Sequence, residues 1–429
     1  MLRQIRRTTP NLLLAIMVPA TVVAQSPQPP ATAISATPPP AGVRVRTVTD
    51  TLVGGVGGVA VDRSGIIYVA TFGDEVYRVM PDGRVSVFAT GLYGASGNAV
   101  DSQGRLLQSN FYGNTIVRID RNGTVSPFAD GLQGPVGIAV DSADNLVVTN
   151  CRANTLSLVS AAGEVSTFAE SPLLNCPNGI TRGPDGNYYV ANFTGGKLLA
   201  VSSAGEVREL ATIPGGGNGH VAIARGDLYV TAFQSHRIYR VSMDGSEVTR
   251  VAGTGRPGEL DGPGLKATFA WPNGIAVAPQ GDRLYVNDFV NRFPPTTEAP
   301  PVRKSIVRQI TLPGLSAIML AALSESGIDS MRAVHRTWHS DPATAGPSTE
   351  REVNALGYRL MGAGRLPAAI AVFELNVETY PKSFNTYDSL AEAYLNAGDN
   401  DRAIEFYRKS LELNPGNTNA TKKLEELGA

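Results

Sequence analysis

The stretch Trp271–Val277, WPNGIAV, raises the question that decides the fold. An apolar strand-like run begins on an Asn-Gly pair. Asn-Gly is a tight-turn signal, because both residues tolerate positive φ. An Asn at the head of a strand is also a way to present an amide to a ligand. A near-copy, CPNGIT, occupies Cys176–Thr181, so the first step is to look for further copies.

Six units emerge. Their aligned glycines are Gly58, Gly97, Gly137, Gly179, Gly219 and Gly274, with gaps of 39, 40, 42, 40 and 55 residues. Each unit reads as an apolar I-A-V-D run, a Gly turn, an L-Y-V run, an I-x-R-V run, a second turn and a last strand. Asp82-Gly83, Asn122-Gly123 and Asp244-Gly245 are hairpin turns between β-branched runs. Four strands in about 40 residues is the pattern of a β-propeller blade. The expected fold is an all-β six-bladed propeller over residues 43–312, followed by a small all-α unit. The first unit starts at its innermost strand, and the sixth lacks a fourth strand after Ser305–Ile310. The alternating segment VRVRTVT, Val43–Thr49, is expected to supply it, with residues 43–50 closing blade six and hiding free sheet edges.

Composition agrees with strands and turns: Gly 46, Pro 29 and only 17% charged residues in 429. A net charge of -1 leaves no electrostatic footprint for nucleic acid or an anionic membrane. At the N-terminus, Arg3, Arg6 and Arg7 precede the apolar run Leu12–Val23 and the small-residue site Val22-Val23-Ala24. Residues 1–24 therefore read as a secretory signal peptide, and the protein as exported, periplasmic or extracellular. An uncleaved anchor is the competing reading, disfavoured by the short run and by Pro19. Residues 25–42 read as an extended Pro/Ala-rich linker. Residues 312–323 are apolar but too short for a stable membrane span.

Two family resemblances follow from these residues. Val251–Asp288, VAGTGRPGELDGPGLKATFAWPNGIAVAPQGDRLYVND, resembles an NHL repeat. The six units together resemble the senescence-marker-protein/gluconolactonase propellers over about 270 residues. The resemblance implies a fold more firmly than an activity, since this architecture hosts lactonases, lyases and binding modules. It also implies a metal held by a Glu, two Asn and an Asp from separate blades. Asn178, Asn273 and Asp288 match such a Ca²⁺ set by position. The Glu does not match: LVGGVGG, Leu52–Gly58, carries no carboxylate there. Asp74 and Glu75 lie on the same expected face but further out.

The C-terminus carries a second repeat. Pro381 and Pro415 are 34 residues apart, which sets units starting at Glu350 and Phe384. Leu356, Gly357, Ala369 and Phe373 in the first, and Tyr387, Leu390, Tyr394, Ala403 and Tyr407 in the second, resemble tetratricopeptide repeats. Thr349 and Glu352 read as a capping box, residues 417–427 as an end helix, and 313–349 as a helical linker. The resemblance implies a groove faced by Asn354, Tyr358, Asp388, Glu392 and Asn396, binding a protein or peptide. A stability cap is the alternative.

In a propeller, the turns leading into the innermost strands and those after the second strands share one face. On it the sequence places Asn98, Asn110, Asn150, Asn192 and Asn218 as ligand-binding candidates, with Asn178, Asn273 and Asp288 as metal candidates. A small polar ligand or sugar lactone would suit such a ring. His220 is the candidate general base. His335 and His339, four apart, form a surface pair or a metal site. Phe72, Phe111, Phe193, Phe233 and Phe289 recur at one position in five units, with Cys151 in the other, and read as inter-blade core. Cys151 and Cys176, on loops of adjacent blades in an exported chain, are expected to form a disulfide. GTGRPG, Gly253–Gly258, matches a dinucleotide fingerprint but no helix follows it. Residues 291–304 are a long insertion on the same face. Two functions result: a binding or scaffold protein, and a metal-dependent lactonase-like hydrolase.

Overall fold

A computed structural model describes residues 42–292, 302–340 and 349–429. The expected signal peptide, all but the end of the 25–42 linker, most of the 291–304 insertion and most of the 340–349 loop lie outside them. Blade one comprises Val59–Val61, Ile67–Ala70, Val76–Val79 and Val85–Ala89. Blades two to five repeat the four-stranded antiparallel order, with innermost strands Ala95–Val100, Pro135–Val140, Pro177–Arg182 and Asn218–Ala224. Blade six runs outward through Ile275–Val277, Arg283–Arg292 and Val302–Thr311 to Arg44–Val53. That last strand comes from the start of the described chain and pairs antiparallel with Val302–Thr311. The pairing joins the two ends of the ring.

The far ends of blades one to three, away from the turns that lead into the innermost strands, are built alike. Asp62 Oδ1 accepts the N–H groups of Ser64 and Ile66 at 2.8 and 3.0 Å. Asp101 does the same for Gln103 and Arg105, and Asp141 for Ala143 and Asn145. An Asp that pins its own turn explains the repeated D-x-x-G of the sequence.

Neighbouring blades are fastened by one polar side chain near the end of the second strand. Ser109 Oγ donates to Val136 O at 2.7 Å, Thr149 Oγ1 to Asn178 O at 2.5 Å and Thr231 Oγ1 to Asn273 O at 2.5 Å. Asn287 Nδ2 reaches Gly57 O at 3.2 Å across the closure.

The repeat glycine has a different cause from the one its sequence suggested. Gly97, Gly137 and Gly179 lie inside innermost strands, not in hairpin turns, and none has positive φ. A Cβ on any of them would collide with the backbone of the next blade. Close approach around the axis therefore requires glycine, and Asn-Gly marks a bulge in the strand rather than its turn. The left-handed position falls three residues earlier. Gly94, Gly134 and Gly216 hold it in blades two, three and five, whereas Cys176 and Trp271 take φ +46° and +51° in blades four and six.

Six helices follow: α1 Leu315–Ser340, α2 Thr349–Gly362, α3 Leu366–Thr379, α4 Phe384–Asn396, α5 Asn400–Leu413 and α6 Thr418–Leu427. Gly327, at φ 85° and ψ -170°, breaks α1. Leu315, Met319, Leu323 and Met331 of α1 share one core with Val353, Leu356, Phe373, Leu390 and Tyr407. Thus α1 belongs to the helical unit and is not only a linker. Glu352 accepts the Ser316 N–H at 2.9 Å, so it serves the start of α1.

Arg225 clasps the two regions: its guanidinium donates to Pro313 O and lies 5.5 Å from the Trp338 ring. Arg225 sits in the hairpin between the first and second strands of blade five. Thr311 ends the third strand of blade six at that same end. The helices therefore attach at the far face of the propeller. No helix among the described residues is long and apolar enough to cross a membrane.

Candidate functional site

On the opposite face, a cavity of about 420 Å³ opens on the propeller axis. Its wall contains Phe72, Phe111, Phe193, Phe233 and Phe289, and Cys151 and Cys176 complete the ring. Phe111, Cys151, Phe193 and Phe233 are each the first residue after the second strand of their blade, Phe72 is the second residue after its strand, and Phe289 lies within its longer strand at the equivalent place in the repeat. The aromatics are thus cavity wall and not the inter-blade core expected of them. Phe72 and Phe111 stand 5.3 Å apart between centroids, and Phe193 and Phe233 5.6 Å. Thr71, Ser96, Asn178 and Asn273 add a few polar groups to the lining. An apolar wall with sparse polar groups is the usual make-up of a small-molecule pocket.

Cys151 and Cys176 form a disulfide between blades three and four. Cys176 is held in its left-handed conformation by Asn154, whose Oδ1 accepts the Cys176 N–H at 2.7 Å. Trp271, in the equivalent position of blade six, donates its N–H to His236 Nδ1 at 3.0 Å and stacks edge-on to that imidazole at 5.1 Å. A non-glycine residue costs free energy in this conformation. Both exceptions place a side chain at or beside the cavity.

The Asn candidates separate into two groups. Asn178 and Asn273 reach the cavity wall, and their Nδ2 groups bridge blades, to Asn218 O at 3.2 Å and to Gly57 O at 3.1 Å. Asn110, Asn150 and Asn192 do not line the cavity. Each accepts the N–H of the residue 17 positions earlier, Tyr93, Gln133 and Asn175, pinning the loop that leads into its own blade. Asn98 and Asn218 are also off the wall, donating to Tyr68 O and Lys197 O. The expected ring of ligand amides is largely a ring of loop fasteners.

Asp288 is fully buried within blade six. Its carboxylate pairs with the equally buried Arg308 at 3.3 Å and accepts the Ala270 N–H at 3.2 Å. Burial pushes its pKa up to about 7, against the pull of Arg308. Arg308 also holds the 260–268 loop through Leu260 O, Asp261 and Thr268 O. The structure therefore does not bring Asp288 together with Asn178 and Asn273. Two neutral amides on an aromatic wall do not fit a Ca²⁺ site, which takes six to eight oxygens and gains affinity from carboxylates. Among the described residues no group of three or more His, Cys, Asp or Glu is placed to hold a metal ion.

His220 is buried in the innermost strand of blade five and does not line the cavity. Its backbone N–H is engaged by Thr231 Oγ1 and Asn273 O, and burial lowers its pKa to about 4. It is neutral near pH 7. The His335 and His339 rings lie 4.4 Å apart, tilted by 50°, and burial lowers the pKa of His335 to about 4 as well.

In the helical unit, Tyr358 of α2 meets Glu392 of α4. Tyr358 donates to Glu392 at 2.8 Å, and Asn396 Nδ2 to Glu392 O at 2.8 Å. Asp388 accepts from Asn417 and Asn419 at the start of α6, at 2.7 and 2.9 Å. Asn354 lies one turn before Tyr358 on α2.

Residues 384–417 match the tetratricopeptide repeat family. No curated protein matches the chain in sequence. Among solved structures, a gluconolactonase from Xanthomonas campestris is 17% identical, covering 68% of this chain and 99% of its own, with a TM-score of 0.50. An auxiliary nutrient binding protein from Bacteroides ovatus is 16% identical, covering 62% and 76%, also at 0.50. A Bacteroides thetaiotaomicron protein of unknown function is 15% identical over 62% and 76%, again at 0.50. At such identities the likeness is one of fold. The chain is a six-bladed β-propeller with a C-terminal helical region carrying a tetratricopeptide repeat.

Proposed function

We propose that this is an exported binding protein that takes a small, largely apolar ligand into the axial cavity. Its helical unit would dock a protein or peptide along Asn354, Tyr358, Asp388, Glu392 and Asn396. One observation carries the ligand reading: five phenylalanines from five blades and a disulfide converge on a single cavity. The ligand is then more apolar than the sugar lactone or polar ligand expected from the Asn residues. The disulfide and the N-terminal leader pattern support export.

The hydrolase reading draws on the gluconolactonase-like fold, but the residues it needs are committed elsewhere. Asp288 is paired with Arg308, and His220 is packed inside blade five.

A neutral fluorescent apolar probe, N-phenyl-1-naphthylamine, tests the binding reading. The expected result is saturable one-site binding that weakens by about tenfold or more in Phe193→Ser and Phe233→Ser, the loss expected from one buried Phe contact. Melting curves confirm that both variants fold. Unchanged binding in both folded variants would sink the proposal.

A further inference from the structure

We propose that the cavity ligand is an amphipathic anion, with an aromatic or branched apolar body in the cavity and a single anionic head, such as a carboxylate, held by Arg152. The inference rests on the cavity-binding reading above and adds the charge of the ligand to it.

The residue that directly follows the repeated Phe or Cys of the wall is Gly73, Tyr112, Arg152, Thr194, Gln234 and Val290 in blades one to six. Blade three alone places a cation there. Arg152 directly follows Cys151, which lines the cavity and is tied to Cys176. The guanidinium carbon lies 4.6 Å from the centroid of Phe111, a wall residue, and 5.7 Å from that of Tyr112. The stem of Arg152 packs over Gly134, where a Cβ would come within 2.7 Å of Cγ. Gly134 thus serves twice, allowing the left-handed turn at φ 61° and clearing room for the arginine.

This placement is pre-organised. An aromatic face under a guanidinium fixes its plane and leaves its N–H donors pointing outward. Some arginines of the propeller are held in ion pairs: Arg105 by Asp101, Arg240 by Asp227 and Glu247, and Arg308 by Asp261 and Asp288. Arg152 has no ion pair among the described residues. Of the carboxylates in the blade-one turn on this face, Glu75 is engaged by the Tyr77 hydroxyl at 2.7 Å. A planar fork beside an apolar cavity suits a carboxylate, which it can meet with two parallel hydrogen bonds.

The test uses two probes with matched aromatic bodies on the full chain: neutral N-phenyl-1-naphthylamine and anionic 8-anilino-1-naphthalenesulfonate. Phe233→Ser, shown folded by its melting curve, serves as the cavity control and should weaken both. Arg152→Gln should weaken the anionic probe by about tenfold and leave the neutral probe unchanged. Arg152→Lys should fall between, and added salt should erode the wild-type affinity for the anion only. If Arg152→Gln binds the anion as wild type does, or loses both probes equally, the inference is overturned while the cavity reading stands. If wild type binds neither probe, or if neither Phe193→Ser nor Phe233→Ser weakens either probe, the cavity reading falls and takes this inference with it.

Discussion

The two ends of the propeller blades obey different rules. At the far end, blades one to three use the same device, an Asp that accepts two N–H groups of its own turn, at Asp62, Asp101 and Asp141. At the cavity end the blades diverge: a disulfide in one place, Trp271 in another, Arg152 in a third. Repetition marks the scaffold, because each blade has the same hairpins to close. Departure marks the site, because a ligand presents different groups to different blades. Blade five carries the comparison further. Its far-end hairpin drops the Asp for Ala224-Arg225-Gly226-Asp227, with φ 51° at Arg225, and there the helical unit is docked.

Four measurements would break or sharpen that contrast. The largest effect should come from neither end but from the inner ring. Gly137→Ala places a Cβ against the Asn178 carbonyl, and we expect a loss of about 3 kcal/mol or more in denaturant unfolding. A near-neutral result would mean that the blades can spread apart.

Next is Cys151→Ser with Cys176→Ser. Removing a link that spans 25 residues should lower stability by about 3 kcal/mol, and it should also weaken the anionic probe by loosening Arg152. Loss of stability with no change in probe binding would detach the disulfide from the site.

Smaller again, Asp141→Ala should cost about 1–2 kcal/mol, since it frees two turn N–H groups, and leave probe binding untouched. Altered binding in this variant would contradict the division between the two ends.

The last measurement is of pH dependence, where two opposing contributions leave wild type with the smallest net change. Asp288 is raised from 3.8 to about 7 by burial, so its contribution is complete below the lower value and lost as pH rises through the upper one. His220 is lowered from 6.5 to about 4 by burial, so its contribution is present above 6.5 and lost as pH falls toward 4. The two oppose each other between pH 7 and 4. Asp288→Asn should therefore steepen the acid loss of stability, and His220→Gln should flatten it. Parallel titrations of both variants with wild type would show that neither group is coupled to folding.

Much of the fold was legible in sequence because a propeller repeats its local chemistry. Glycine spacing, Asp turns and β-branched runs announce four strands per unit, and Pro381 and Pro415 announce the helical repeat. The site was less legible. The five-fold recurrence of Phe after the second strand was visible, but the sequence does not say whether that position faces a neighbouring blade or the axis. The opposite happened at Asn110, Asn150 and Asn192, whose recurrence resembled a ligand ring. Each turned out to hold its own loop, through a hydrogen bond over a fixed span of 17 residues.

WPNGIAV shows where the division falls. By itself the sequence determined that this segment begins a blade, since the period and the apolar alternation are local properties. Only the tertiary structure decided what its residues do. Gly274 is glycine because its Cβ would meet the Gly57 carbonyl of blade one. Asn273 bridges to the same blade while touching the cavity. Trp271 bears the backbone strain that three other blades relieve with glycine. These roles depend on which residues the closed ring brings beside one another, and that proximity is set by packing around the axis.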